Sequence, residues 1–365
     1  MEKVKLGEIF EYLPKSKFKA GDGKEEGKYK FFTSSNVQNK FIDRFIYDGE
    51  YLIFGTGGKA SINYCNDKFS TSTDNFVVKV NNEFNAKLIF LYFKNNMEIL
   101  EKGFKGASIK HISKEYINQL EIPKYNCQHQ INIVNKLDKV QDVIDMRKKQ
   151  IEKFDELIKS QFVEMFGSVK NSKWSIEKLE SITEKITDGK HGGCQSEDNS
   201  GYYFIGATEI YNDKINYENS NQITKKDFEK DYTRCDLQLD DFVIVNTGAT
   251  IGKSAIVVDE RCKKTLLQKS VALIRVKKER LLPIYLKYCY EEEPSLYNKG
   301  QGCARINLLL SQIKNTDIPI PPIELQKKFA EFVKQIDKQK FEIQKSLEEM
   351  QLLQESLMNK YFGEM

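Results

Sequence analysis

The chain has 365 residues, a formal charge of +4 and a pI near 8.4, enough for two ordinary domains plus connecting helices, each burying its own core. So weak a basic balance permits a nucleic-acid partner without requiring one, and no apolar run approaches the ~18 residues of a membrane span. The opening MEKVKLGEIF has no signal-peptide pattern, and the seven cysteines are scattered without a CxxC pair, so a cytoplasmic protein with reduced thiols and no structural zinc is expected.

From the N-terminus the pattern is mixed. KLGEIF around Leu6 is followed by FFTSSNV from Phe31, the strand-like DGEYLIF at 48–54, the glycine turn FGTGGKAS at 54–61, the strand-like FVVKV at 76–80 and the helical LIFLYFKNNMEIL from Leu88. Short β runs separated by Gly, Asn and Asp clusters, with one short helix, predict an α+β module with a small curved sheet. After EIPKYNCQHQ, residues 128–166 hold no Pro or Gly and place Leu137, Val140, Ile144, Ile151, Phe154, Ile158 and Met165 at heptad spacing. That spacing predicts a long helix with one apolar seam, about 58 Å long at ~1.5 Å per residue.

The series then repeats. Leu6 matches Leu179, and Phe31 matches Phe204, both 173 positions on; DGEYLIF matches DDFVIV near 240–245, 191 positions on. SVALIRV at 270–276 and IYLKYCYEEEPSL from Ile284 stand for the next strand and helix. Pro123 and Pro319, Gln130 and Gln326, and Gly167 and Gly363 are all 196 apart. A period this long means two tandem domains rather than a solenoid.

The second helical stretch, 324–362, carries Phe329, Val333, Ile336, Ile343, Leu347, Met350 and Leu357. Where the first seam breaks at Arg147, the matching position is Ile343; where the second breaks at Lys340 and Gln354, the first has Ile144 and Ile158. Neither seam can stay exposed, so the two helices are expected to pair as an intramolecular antiparallel coiled coil.

Catalytic patterns are lacking. NTGATIGKS at 246–254 resembles a phosphate-binding loop, but only three residues separate Gly248 from Gly252, and AIVVD after it reads as a strand, not a helix. His111, His129 and His191 have no metal-ligand spacing. What remains are polar and basic loop residues at matched positions. Ser34, Ser35, Asn36 and Gln38 in SSNVQNK and Thr208 in ATEIYND are of types that hydrogen-bond base edges. Lys59, Lys105, Lys110, Lys190, Lys253 and Arg305, with His191 beside Lys190, could position a phosphate backbone.

In this order, and twice over, these motifs resemble the specificity subunit of type I restriction-modification systems across essentially the whole chain. The resemblance rests on the KLxxI openings at Lys5 and Lys178, TDGKH at 187–191, the strand-Gly-Lys turns ending at Lys59 and Lys253, and DIPIPPIELQ at 317–326. The first half has no TDGKH near Tyr12 and writes EIPKYNCQHQ for the double-proline version. The resemblance implies target recognition domains at 1–127 and 169–322, with spacer helices at 128–168 and 323–365. Each domain would read half of a bipartite site in double-stranded DNA while the helices set the spacing. It further implies a chain without catalysis or cofactor of its own. Two methyltransferase subunits holding S-adenosylmethionine would dock on the helices, and two motor-nuclease subunits would use ATP with Mg. The specificity part of a split type II enzyme and an assembly scaffold that binds no DNA are the alternatives.

Overall fold

The computed structural model describes residues 2–106, 110–297 and 307–363. It divides into two compact units, Met1–Lys149 with Ile343–Met365, and Gln150–Glu342.

Both long helices form, as Cys127–Phe166 and Ile323–Phe362, 40 residues each. Without Pro or Gly their i→i−4 ladders run unbroken. Each helix contributes one half to each unit. In the first unit, Ile133, Val134 and Leu137 from the start of the first helix pack with Leu357, Met358 and Phe362 from the end of the second. In the second unit, Ile158, Phe162 and Phe166 from the end of the first helix pack with Phe329, Val333 and Ile336 from the start of the second. Start meets end in both units, so the helices pair antiparallel. Of the predicted seam, Leu137, Ile144, Val333, Ile336 and Leu347 are buried, while Val140, Ile151, Phe154, Ile343 and Met350 are half-buried. Phe329 of the predicted seam meets Phe162 and Phe166, which the heptad reading left out; all three are buried, and their rings meet edge-on or tilted 5.0–5.5 Å apart.

In the first unit a six-stranded sheet runs in the order Phe10–Tyr12, Asn75–Val80, Tyr47–Gly55, Ser61–Thr71, Tyr29–Phe32, Lys40–Ile42. In the second, Thr183–Asp188, Val271–Val276, Phe242–Val245 and Ser254–Ile256 make a four-stranded sheet, and Asn221–Gln222, Tyr203–Ile205 and Thr265–Leu267 a three-stranded one. The repeat is present as hydrogen-bond register. Phe32 pairs in parallel with Thr71 as Ile205 does with Leu267, and Phe10 faces Val80 as Thr183 faces Val276. One sequence alignment is corrected. Leu52 and Phe54 lie on the helix-covered face of their sheet, as Phe242 and Ile244 do on theirs, so the true offset of this strand is 190, not 191. A strand slipped by one residue would present the opposite face to the core.

A buried glutamine joins each long helix to its α+β head. Gln130 Oε1 accepts from the N–H of Asn85, and its Nε2 donates to the carbonyls of Glu83 and Tyr125, at 2.7–2.9 Å. Gln326 repeats this with the N–H of Leu282 and the carbonyls of Arg280 and Pro321, at 2.9–3.0 Å. In both heads the N–H served lies at the start of the short helix, Ala86–Asn95 or Pro283–Glu292, where backbone donors lack intrahelical partners. Among the described residues no helix is long and apolar enough to cross a membrane.

Candidate nucleic-acid interface

Three separate segments meet at one edge of the first head. The hairpin turn after Tyr47–Gly55, which uses φ +87° at Gly58, is held from one side by the loop that follows Tyr29–Phe32. Asn36 Nδ2 donates to the carbonyl of Ala60 and its Oδ1 accepts from the N–H of Ile62, while Asn63 Nδ2 donates to the carbonyl of Ser35. From the other side, the Gly58 N–H donates to the carbonyl of Lys110, and the carbonyl of Thr56 accepts from the Ile112 N–H at 3.2 Å and lies 3.1 Å from His111 Nδ1. Ser34, Ser35, Asn36, Lys59, Lys105 and Lys110 are thus brought to one place.

Their side chains differ in availability. Ser34 Oγ donates to the carbonyl of Asp74, Ser35 Oγ accepts from the N–H of Val37, and Gln38 Nε2 donates to the carbonyl of Lys40. With Asn36 they hold the loop. Lys59, Lys105 and Lys110 are exposed, and among the described residues they make no side-chain hydrogen bond or ion pair.

The second head builds the same edge from other letters. The N–H of Lys190 donates to the carbonyl of Leu267 and the N–H of Lys269 to the carbonyl of Lys190. These bonds press the TDGKH loop onto the sheet so closely that a Cβ at Gly189 would collide with the backbone of Leu267. The turn 246–253 lies alongside, the Asn246 N–H donating to the carbonyl of Ser270. It connects two antiparallel strands, so no helix N-terminus follows it and Lys253 is an exposed turn lysine.

Lys190 is ion-paired with Asp231, whose hydrogen bond holds it above the ordinary lysine value. Asp188 is paired with Arg234. Both partners lie on Lys225–Cys235, part of the extra length in the second copy. His191 is exposed, with Nε2 3.3 Å from Asp188 Oδ2, and Thr208 Oγ1 donates to Glu209 at 2.6 Å. Arg305 lies outside the described residues.

Two further segments belong to these edges but supplied no candidate residue from the sequence. In the first head, the Thr73 N–H donates to the carbonyl of Phe18, as the Lys269 N–H does to that of Lys190, so the loop 13–19 is the counterpart of TDGKH despite its different letters. In the second, Gln268 and exposed Lys269 sit at the centre of the edge. The 196-residue offset carries Ser72 and Thr73 onto Gln268 and Lys269.

The hairpin below Thr208 is tied to the helix behind it. Asn212 and Asp213 take positive φ at its tip, and Asp213 reaches Lys287 at 3.2 Å. Lys287, buried, also pairs with Glu291. Burial opposes the ammonium, but the two carboxylates outweigh it and hold Lys287 above its ordinary value. Burial pushes Glu291 up, Lys287 offsetting part of this, and burial likewise raises Asp337. Lys287→Met leaves the half-buried Glu291 without its cation, beside the exposed Asp213. The expected cost is about 3 kcal/mol at pH 8. The folded carboxyl pKa is raised, so its protonated form favours folding at low pH, and stability falls as pH climbs from the ordinary glutamate value through the folded one. The deficit of the variant should therefore shrink at pH 5, measured by urea unfolding at both pH values; an equal deficit at both refutes the assignment.

A family model described as the type I restriction modification DNA specificity domain matches residues 1–155 and 171–352. The chain is 22% identical, over 98% of its length and 91% of the relative's, to the type I restriction enzyme MjaVIII specificity subunit of Methanocaldococcus jannaschii. It is 26% identical, over 43% of its length and 34% of the relative's, to the EcoDI specificity subunit of Escherichia coli. In fold it is similar to the crystal structure of a type I restriction-modification S subunit from M. genitalium, with a TM-score of 0.65 and 17% identity over 100% of this chain and 96% of that one. A structure described as showing complex assembly and conformational transition of the type I system gives 0.56, with 14% identity over 99% of this chain and 97% of that one.

Proposed function

From the premise that the chain belongs to the type I restriction modification DNA specificity family, and so is a non-catalytic specificity subunit of such a system, we propose that its heads divide the reading of one bipartite DNA site. The target recognition domains are 1–127 and 169–322. Each would lay the edge described above against the major groove, with Lys59, Lys105 and Lys110 on phosphates in one half-site and Lys253 in the other. The observation that carries this is the repeated edge: one backbone frame, built twice, holding different side chains and unpaired lysines. Reading two different half-sites needs that combination.

The antiparallel helices would set the gap and dock two methyltransferase subunits. Leu157 and Leu353, 196 positions apart, are 43% and 42% exposed, which supports two copies of one partner. S-adenosylmethionine would be held by those partners, and ATP with Mg by two motor-nuclease subunits.

The test is methylation mapping of DNA from a methylation-free host expressing the partner methyltransferase with and without this chain. A bipartite motif that depends on the chain is expected, and exchange of residues 34–40 should alter one half-site only. Binding by the assembled complex should fall steeply with salt, by roughly 0.9 log units per log unit for each phosphate contact. A soluble complex that yields no motif refutes the proposal.

A further inference from the structure

We propose that Gln268 reads an adenine of the half-site recognised by the second head; this rests on the reading of the head's edge as a DNA interface. The polar candidates visible in the sequence are largely committed within the fold: Asn36, Gln38 and Thr208 by hydrogen bonds and Lys190 by Asp231. Gln268 differs. Its backbone is fixed on several sides, its N–H donating to the carbonyl of Ile205 and its carbonyl accepting from the N–H of Val271, with a β-bridge to Lys190. Its side-chain amide makes no hydrogen bond among the described residues, although it lies where the TDGKH loop, the 206–208 loop and the 268–270 turn converge.

Two further observations point to this amide. Gly206 leaves space for it: a Cβ there would stand 2.5 Å from Oε1 and 2.7 Å from Cδ of Gln268. The φ of Gly206 is −116°, which any residue can adopt, so the room needed by the amide explains this glycine better than backbone freedom does. In the first head the equivalent position is Ser72, whose N–H donates to the carbonyl of Phe32 just as that of Gln268 does to Ile205. Ser72 is buried and its Oγ accepts from Asn75 Nδ2. One head thus closes this position and the other opens it with a free amide on the same backbone.

A free carboxamide on a fixed backbone offers one acceptor and one donor in a plane, the match for adenine N6–H and N7 in the major groove. Lys253 and Lys269, exposed on the neighbouring turns, supply positive charge for phosphates without base preference.

The experiment maps methylation by the assembled complex in a methylation-free host, and measures rates on duplexes carrying each base at each position of the parental motif. Gln268→Ala is expected to lose roughly ten- to a hundredfold discrimination at one A·T position of the second half-site and to leave the first half-site intact. Gln268→Glu, which keeps only acceptors, should turn that position from adenine toward cytosine. Gly206→Ala should displace the amide and relax the same position. Lys253→Ala should slow methylation at every sequence alike.

Unchanged preference in both Gln268 variants overturns the proposal, and if Lys253→Ala still weakens methylation the DNA-edge reading survives that failure. Changes at several positions, or loss of all methylation by complexes that still assemble, would mean that Gln268 supports the loops and does not read. If neither Gln268→Ala nor Lys253→Ala alters motif or rate, the reading of this edge falls with it.

Discussion

Gln326→Leu is expected to lower the stability of the second unit by about 3–5 kcal/mol, because the side chain is fully buried and all its hydrogen bonds go to backbone groups. A buried group left without its partner costs ~1–3 kcal/mol. Three are left here, the N–H of Leu282 and the carbonyls of Arg280 and Pro321, and partial rehydration keeps the total below their sum. For a unit of this size the shift is roughly 6–20 °C in the melting temperature. Gln326→Glu separates hydrogen bonding from packing. One carboxylate oxygen still accepts from Leu282, but the other faces two carbonyls, so this variant should be unstable at neutral pH and recover as acid protonates the new side chain. Hydrogen exchange at the Leu282 amide reports the same event locally. Gln130→Leu should do likewise in the first unit and, lying in the other unit, should add independently. A melting temperature within about 2 °C of the parent would falsify this account of the glutamines.

Much of this architecture was legible in the sequence. The long helices begin at Cys127 and Ile323, within one residue of the expected starts, because absence of Pro and Gly and a heptad seam leave little choice of conformation. Offsets of 173 and 196 reappear as strand pairing, since strands that pair alike keep the same apolar faces. The 191 offset was one residue long because LIF and VIV are apolar at every position, and such a run does not show which face is which. The interface was less legible. Asn36 and Gln38 are of types that read bases, but Asn and Gln side chains serve local backbone groups just as well, and in this fold both amides bond to backbone groups. Lys190 finds Asp231 on a helix without a counterpart in the first half, so the internal repeat could not reveal the pair. Gln268, in KKTLLQKSVALIRV, looks like one polar residue beside a strand, and becomes distinctive only when Gly206 and Ser72 are set beside it.

Deleting residues 144–150 and 344–350 together is expected to shorten the gap between half-sites while leaving both half-sites unchanged. The two segments lie opposite each other in the antiparallel pair, between the Gln354 to Gln141 contact and the Lys340 to Asp155 contact. Removing a full heptad from each preserves the seam on both sides of the cut. The helices shorten by about 10 Å, at ~1.5 Å per residue, which corresponds to about three base pairs of duplex at ~3.4 Å each. Length and rotation are not matched, however. A heptad turns a helix back by only ~20°, whereas three base pairs rotate the groove by about 100° at 10–10.5 pairs per turn. The DNA or the complex must absorb that difference in twist, so methylation of the shortened site should be at least ~10-fold slower than that of the parental site by the parental complex, an expected cost of ~1.4 kcal/mol or more. Methylation mapping reads the gap directly. A parental gap retained by the shortened chain would show that something other than helix length sets the spacing, whereas a shortened gap with slower methylation is the signature of a spacer that fixes distance and leaves twist to the DNA.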